Sequence, residues 1–479
     1  MISEKFRRQL RQESEKWWSE GLIDAALYEQ LAARYQFNQL EGEASNRFVT
    51  ILMGLGAVLL GLGAITFVAA NWQEWSRSLK MLLLISTFVG VNATGFYLWR
   101  KPASQKGQQR LGYGLLLLGA LLLGANLGLM SQMFHQSGDA YELFLVWGLG
   151  VAAMAYSLRL ASLGMLSLIL VVIAYLFSWS SSTVWNQFTL ATLMIQHLPL
   201  LISLVFVPLA YWCRRSRALF GLSAIALVVS FVFNFKVYAV WDIGWMIAIA
   251  FVLPPALLWG YSEQIWQRRS LVHSALATAY ARQHSFQPIS RSLAIVFLSV
   301  LFYVLAFHDW WDMNPRESTY WLNTWDWYPL IDAVWLGIVT GLGWLQLRYQ
   351  IRLRQPQERA INTGLIAILL LLTAAVLIWH PQLGQVTTLV FNVMLFVVAI
   401  SLIRDGLALT ERHTFWGGMV LLVLGIISRS LEFNTGLLLK SIVLALCGAG
   451  IIAAGLWFER KIQPRRISSL SHSSQEELP

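Results

Sequence analysis

LGYGLLLLGALLLGANLGLM, residues 111–130, runs for twenty residues without one charged side chain. As a helix rising 1.5 Å per residue it covers about 30 Å, the thickness of a bilayer's hydrocarbon core. Hydrocarbon offers a peptide group no hydrogen-bond partner, so such a block must satisfy its own backbone as a helix. It shows no strict apolar–polar alternation, which argues against a strand of an outer-membrane barrel. The block is therefore read as a membrane-spanning helix.

Blocks of the same kind recur along the 479 residues, of which 57% are hydrophobic and 13% charged. A soluble domain carries about 25% charged residues, so this chain has too little polar surface to dissolve. The expected fold is all-α, a polytopic transmembrane helical bundle of about fourteen spans. The first eight fall at 49–70, 81–99, 111–131, 142–158, 160–179, 194–213, 218–238 and 243–261. The other six fall at 292–307, 330–347, 361–379, 384–403, 414–430 and 436–457. Five regions result: a helical hairpin at 1–46, a first membrane bundle at 47–262, a linker at 263–291, a second bundle at 292–457, and a basic and polar tail at 458–479.

Charge placement orients the bundle. If the N-terminus is cytoplasmic, all but six of the 35 Lys and Arg lie on the cytoplasmic side. The six are Arg77, Lys80, Lys236, Arg316, Arg429 and Lys440. Positive residues favour the cytoplasmic face, so both termini are expected there. The formal charge of +10 sits in short loops between apolar blocks and is not read as a nucleic-acid surface. The opening MISEKFRRQL is charged and amphipathic, so no cleavable signal peptide is expected. Cys213 and Cys447 lie at or inside spans, which leaves no disulfide framework and no cysteine zinc site.

The preface divides into two helices, SEKFRRQLRQESEKWWSEG and DAALYEQLAARYQF, punctuated by Gly21 and Asp24. It reads as a packing element at the membrane mouth or as a contact for a cytoplasmic protein partner; Trp17, Trp18 and the basic residues also suit an interfacial helix. Glycines crowd the first, third and last spans, and the Gly124–Gly128 pair is a small-xxx-small pattern that lets helices approach closely. The G-x-G-x-x-A strings at 148–153 and 448–453 lie inside spans with no preceding strand, so they are not dinucleotide sites.

Several of these segments resemble a family of bacterial membrane proteins known only as a domain of unknown function. The resemblance rests on WWSEGLIDAALYEQLAARY, on the first span ending in FVAANW, and on LLLLGALLLGANLGLMSQMFHQSGD leading into FLVWGLGVAAMAYSLR. It implies a multi-pass protein of the bacterial inner (plasma) membrane, and no activity or functional residues.

Polar residues at membrane depth are costly, and so point to function. Here they gather toward the outer half: Asn71, Gln132, His135 and Asp139, with Lys236, Asp242 and His380, and then Arg429, Glu432 and Lys440. Arg429 and Glu432 are three apart on one helix, within ion-pairing reach. Asn71, Gln132, His135, Asp139, Arg429, Glu432 and Lys440 form the candidate substrate site, suited to a carboxylate or phosphate. In the bland reading each residue snorkels to the interface or caps a helix. The outer loop 308–329 holds Trp310, Trp311, Trp325 and Trp327 with Asp312 and Asp326. It reads as an aromatic belt, or as a platform for a sugar or lipid headgroup.

Three activities remain open: transport or translocation of a small anionic or lipid-linked substrate, an outer-face transferase, and a structural or regulatory scaffold. No catalytic residues are assigned, because no nucleophile–base pair or carboxylate pair has recognisable spacing. No metal or cofactor is expected. His308 and Asp312 lack a third ligand, and His135, His197, His308 and His380 all fall at one edge, so no cross-membrane haem pair exists. The chain has no G-x-x-x-x-G-K-[ST] loop for ATP.

Overall fold

The computed structural model describes residues 4–35, 59, 74–102, 106–135, 138–180, 188–213, 215–236, 243–262, 285–308, 311, 328–354, 357–409, 411–432 and 436–473. Every described element is helical, with no strand among the described residues. The chain forms two compact units, Met1–Gly90 and Val91–Pro479.

The first unit opens with α1 (Glu4–Ser19) and α2 (Ala25–Tyr35). Gly21 at φ +72° turns the chain between them, a conformation that costs glycine little. Asp24 caps α2 by accepting from the Leu27 N–H at 2.9 Å. The two helices close as a hairpin: Trp18 stacks on Tyr28 at 5.2 Å, and the Tyr28 hydroxyl donates to Glu15 at 3.4 Å. This is the hairpin that the Gly21–Asp24 punctuation predicts.

The helix α3 (Arg77–Trp99) begins in the first unit and ends in the second. Then follow α4 (Lys106–Met133), α5 (Ala140–Leu158), α6 (Ala161–Ser178), α7 (Leu190–Gln196), α8 (Leu198–Trp212), α9 (Arg217–Asn234) and α10 (Gly244–Gly260). Beyond the linker come α11 (Gln287–Leu305), α12 (Tyr328–Arg354), α13 (Gln357–Leu383), α14 (Gln385–Leu409), α15 (Arg412–Glu432) and α16 (Leu437–Ser473). Every expected span from 81–99 onward coincides with one of these helices or with the α7–α8 pair; the first, 49–70, lies almost wholly outside the described residues. Ten described helices are long and apolar enough to cross a membrane, or eleven if α7 and α8 count together. Gly244–Gly260 and Lys440–Leu456 are shorter apolar helices.

Close approach is bought with small residues. A Cβ on Gly148 would meet the Val171 side chain at 2.7 Å, and the Gly148 carbonyl accepts from Ser167 Oγ at 2.7 Å, so α5 and α6 pack nearly backbone to backbone. Gly124 lies under the Trp147 ring, whose Nε1–H donates to the Ala120 carbonyl at 2.8 Å, fixing α4 to α5. Gly418 and Gly406 do the same between α14 and α15. One apolar core runs from Leu116 in α4 to Val398 in α14.

Candidate functional site at a helix break

Between Gln196 and Leu198 the chain turns by 85°. Thr189 and Thr192 start α7 with a reciprocal capping box. His197 leaves helical geometry at φ −97°, ψ 37°, and Pro199, which has no N–H to give to a preceding turn, falls in the first turn of α8. A π-turn at Ile202–Phe206 then loosens α8. Backbone freed in a non-aqueous interior needs other partners. The Gln196 carbonyl accepts from Asn234 Nδ2 at 2.8 Å, and the Val205 carbonyl accepts from the Tyr156 hydroxyl at 2.5 Å.

The break carries a charge pair. His197 Nδ1 lies 2.9 Å from Asp332 Oδ1; the Asp332 side chain has no exposed surface, while the imidazole is 20% exposed. Asp332 Oδ2 takes no hydrogen bond among the described residues. Asn234 joins the centre to α6, because the Tyr175 hydroxyl donates to Asn234 Oδ1 at 2.7 Å. The Tyr328 ring meets His197 edge to face at 6.1 Å. Thus α6, the α7–α8 break, α9 and α12 converge on one buried polar centre. One turn beyond Asp332, Trp335 Nε1–H donates to Ser203 Oγ at 3.0 Å. Both residues line an apolar cavity of about 80 Å³, with Val207, Leu227, Leu336 and Val339 among its walls.

A second polar cluster joins residues that the sequence groups. Arg429 and Glu432 form an ion pair, 15% and 12% exposed. Arg429 Nη1 also donates to the Ala306 carbonyl, its guanidinium lies 4.3 Å above the Phe307 ring, and Glu432 accepts from the His308 N–H at 2.6 Å. The pair therefore clasps the C-terminal end of α11, where the last carbonyls lack helical partners, and the His308 N–H just beyond it. Lys440 lies in the first turn of α16, partly buried.

The other expected site residues fall elsewhere. Gln132 ends α4 exposed, His135 follows it exposed at φ +50°, and Asp139 precedes α5 at the N-cap position without a side-chain capping bond. Asn71, Trp310, Asp312, Trp325, Asp326 and Trp327 lie outside the described residues. Trp311 turns inward: it stacks on Phe391 at 5.7 Å, meets His380 at 5.6 Å and donates to the Leu305 carbonyl at 2.9 Å. Asp332, Asn234 and Tyr175 are absent from the sequence-based set. The only local signal for them is Pro199, two residues after His197.

Residues 15–164 match a protein family described as "Predicted membrane protein (DUF2157)". The matched segment ends near the start of α6, before the break. No curated protein and no solved structure matches the chain. The chain is a multi-pass membrane protein with an all-α fold.

Proposed function

We propose that the protein translocates a small anionic or lipid-linked substrate, with the His197–Asp332 pair as its proton-linked centre. One observation carries the reading: an apolar helix pair bent by 85° places an imidazole against a carboxylate with no exposed surface. Discontinuous helices with ionisable groups at membrane depth are a recurrent way to build a transport site. The partly exposed imidazole gives a proton access to the buried Asp332. The adjoining apolar cavity suits the hydrocarbon part of a lipid-linked substrate. The distribution of Lys and Arg supports cytoplasmic termini and a bacterial inner membrane, with His197, Asp332, Arg429 and Glu432 toward the outer half. About fourteen spans fit that arrangement. The sequence-derived substrate set from Asn71 to Lys440 remains part of the proposal, with Arg429 and Glu432 its best-organised members.

The test uses the full-length protein in vesicles loaded with a pH-sensitive dye. Small carboxylates, phosphates and lipid-linked sugars are offered outside. Substrate-dependent proton movement is expected in the wild type and in Arg404→Gln, and is abolished in Asp332→Asn. Proton movement that survives Asp332→Asn unchanged refutes the assignment.

A further inference from the structure

The clasp on α11 leaves half of Arg429 unspent. Nη1 serves the Ala306 carbonyl and Glu432. Nε and Nη2, on the opposite edge, are buried and form no hydrogen bond among the described residues. A guanidinium is a rigid fork of five N–H donors, and its Nε–Nη2 edge matches the two oxygens of a carboxylate or phosphate. Leaving charged donors unmet in an interior is expensive, so such an edge calls for an acceptor.

The neighbours extend the pattern. Asn392 Nδ2 donates at 3.1 Å to the same Ala306 carbonyl, which puts α14 beside Arg429. Thr388 stands one turn earlier, its carbonyl accepting the same Asn392 amide at 2.8 Å. Thr388 Oγ1 and Asn392 Oδ1 are also buried without hydrogen bonds among the described residues. The hydroxyl is a spare donor. Glu432 cancels the charge of Arg429, while Lys440, in the next helix of the same hairpin, forms no ion pair among the described residues. The hairpin thus keeps one surplus positive charge.

We infer that the Nε–Nη2 edge of Arg429 seats an oxyanion, the carboxylate or phosphate of a free solute or of a lipid headgroup. Thr388 supplies a third donor, and Lys440 balances the added charge. This deepens the transport reading by naming the charged group of the substrate, and rests on it only for the use to which binding is put.

The experiment titrates the purified full-length protein with inorganic phosphate and with acetate, following heat of binding, and in parallel measures retention of phosphatidic acid from mixed micelles. Arg429→Lys, which keeps the charge and loses the fork, is expected to weaken binding about ten-fold or more. Glu432→Gln, which removes a competing carboxylate, is expected to tighten it by a similar factor. Thr388→Val leaves the clasp untouched and is expected to weaken binding several-fold even if Arg429→Lys fails to fold. A response to free phosphate or acetate identifies a solute site; a response to phosphatidic acid alone identifies a headgroup site. Equal binding by wild type and Thr388→Val, together with no gain in Glu432→Gln, overturns the inference. Asp332→Asn should bind normally while losing proton movement, so the failure of either proposal is visible without the other.

Discussion

An anion with no exposed surface must be paired or protonated, because desolvating a lone carboxylate costs several kcal/mol even after relaxation. Asp332 meets that demand through the His197 imidazole, its one ionisable partner among the described residues. His197→Ala therefore strands the carboxylate and is expected to destabilise the fold by about 3–5 kcal/mol. Asp332→Asn keeps a neutral hydrogen-bonding group of the same shape and should cost clearly less. Unfolding in mixed detergent measures both; strict additivity in the double variant would show that the two side chains do not act together. Arg429 and Glu432 could be paired from sequence because three residues on a helix put them on one face. Asp332 and His197 are separated by 135 positions, and no spacing rule reaches that far. Beside Tyr328 and Pro329, a single aspartate reads as the polar mouth of a span. The glycines divide in the same way: the Gly124–Gly128 pattern is legible, but only Gly124 is covered, by Trp147, while Gly128 has nothing within 4 Å. Gly124→Val should cost about 1–3 kcal/mol by overpacking, and Gly128→Val much less. Equal thermal stability of the two variants would contradict the α4–α5 contact.

Among the elements, spans are legible wherever their chemistry is uniform, since an apolar block in hydrocarbon has one way to satisfy its backbone. The break at α7–α8 is legible only as punctuation. Pro199 marks it, yet Pro254 and Pro255 stand inside α10 without ending that helix. What differs is the partner for the freed backbone. At the break, Asn234 reaches across from α9 to the Gln196 carbonyl and is itself held by Tyr175. That bond is a tertiary fact and leaves no mark in the local pattern. Asn234→Leu removes the amide that the Gln196 carbonyl accepts and the acceptor of the Tyr175 hydroxyl, and is expected to cost about 1–3 kcal/mol. It should also raise amide hydrogen exchange around residues 190–201 before other helices respond. Unchanged exchange there would show that Asn234 does not hold the turn.

At the scale of the whole molecule, the charge pattern carries a prediction of its own. Reading charges alone, the spans alternate in direction, and the cations collect at one set of ends. Side-chain contacts join ends that this alternation puts on the same side. Arg159, closing α5, lies 4.3 Å above the Trp212 ring that closes α8. Asn362 at the start of α13 binds Arg404 and Asp405 near the end of α14, and Ser290 at the start of α11 donates to the Leu258 carbonyl near the end of α10. At the opposite ends, Tyr175 meets Asn234, His197 meets Asp332, and Arg429 meets Ala306. The alternation therefore predicts that reporters fused within 263–291 and within 308–329 report opposite compartments, with residues 214–216 sharing the side of the first. Mutating Arg214, Arg215 and Arg217 together to Ala should weaken that orientation, because positive loops are what retain a segment in the cytoplasm. If the reporters at 263–291 and 308–329 fall in one compartment, α11 does not cross, and His197, Asp332, Arg429 and Glu432 no longer share a face of the membrane.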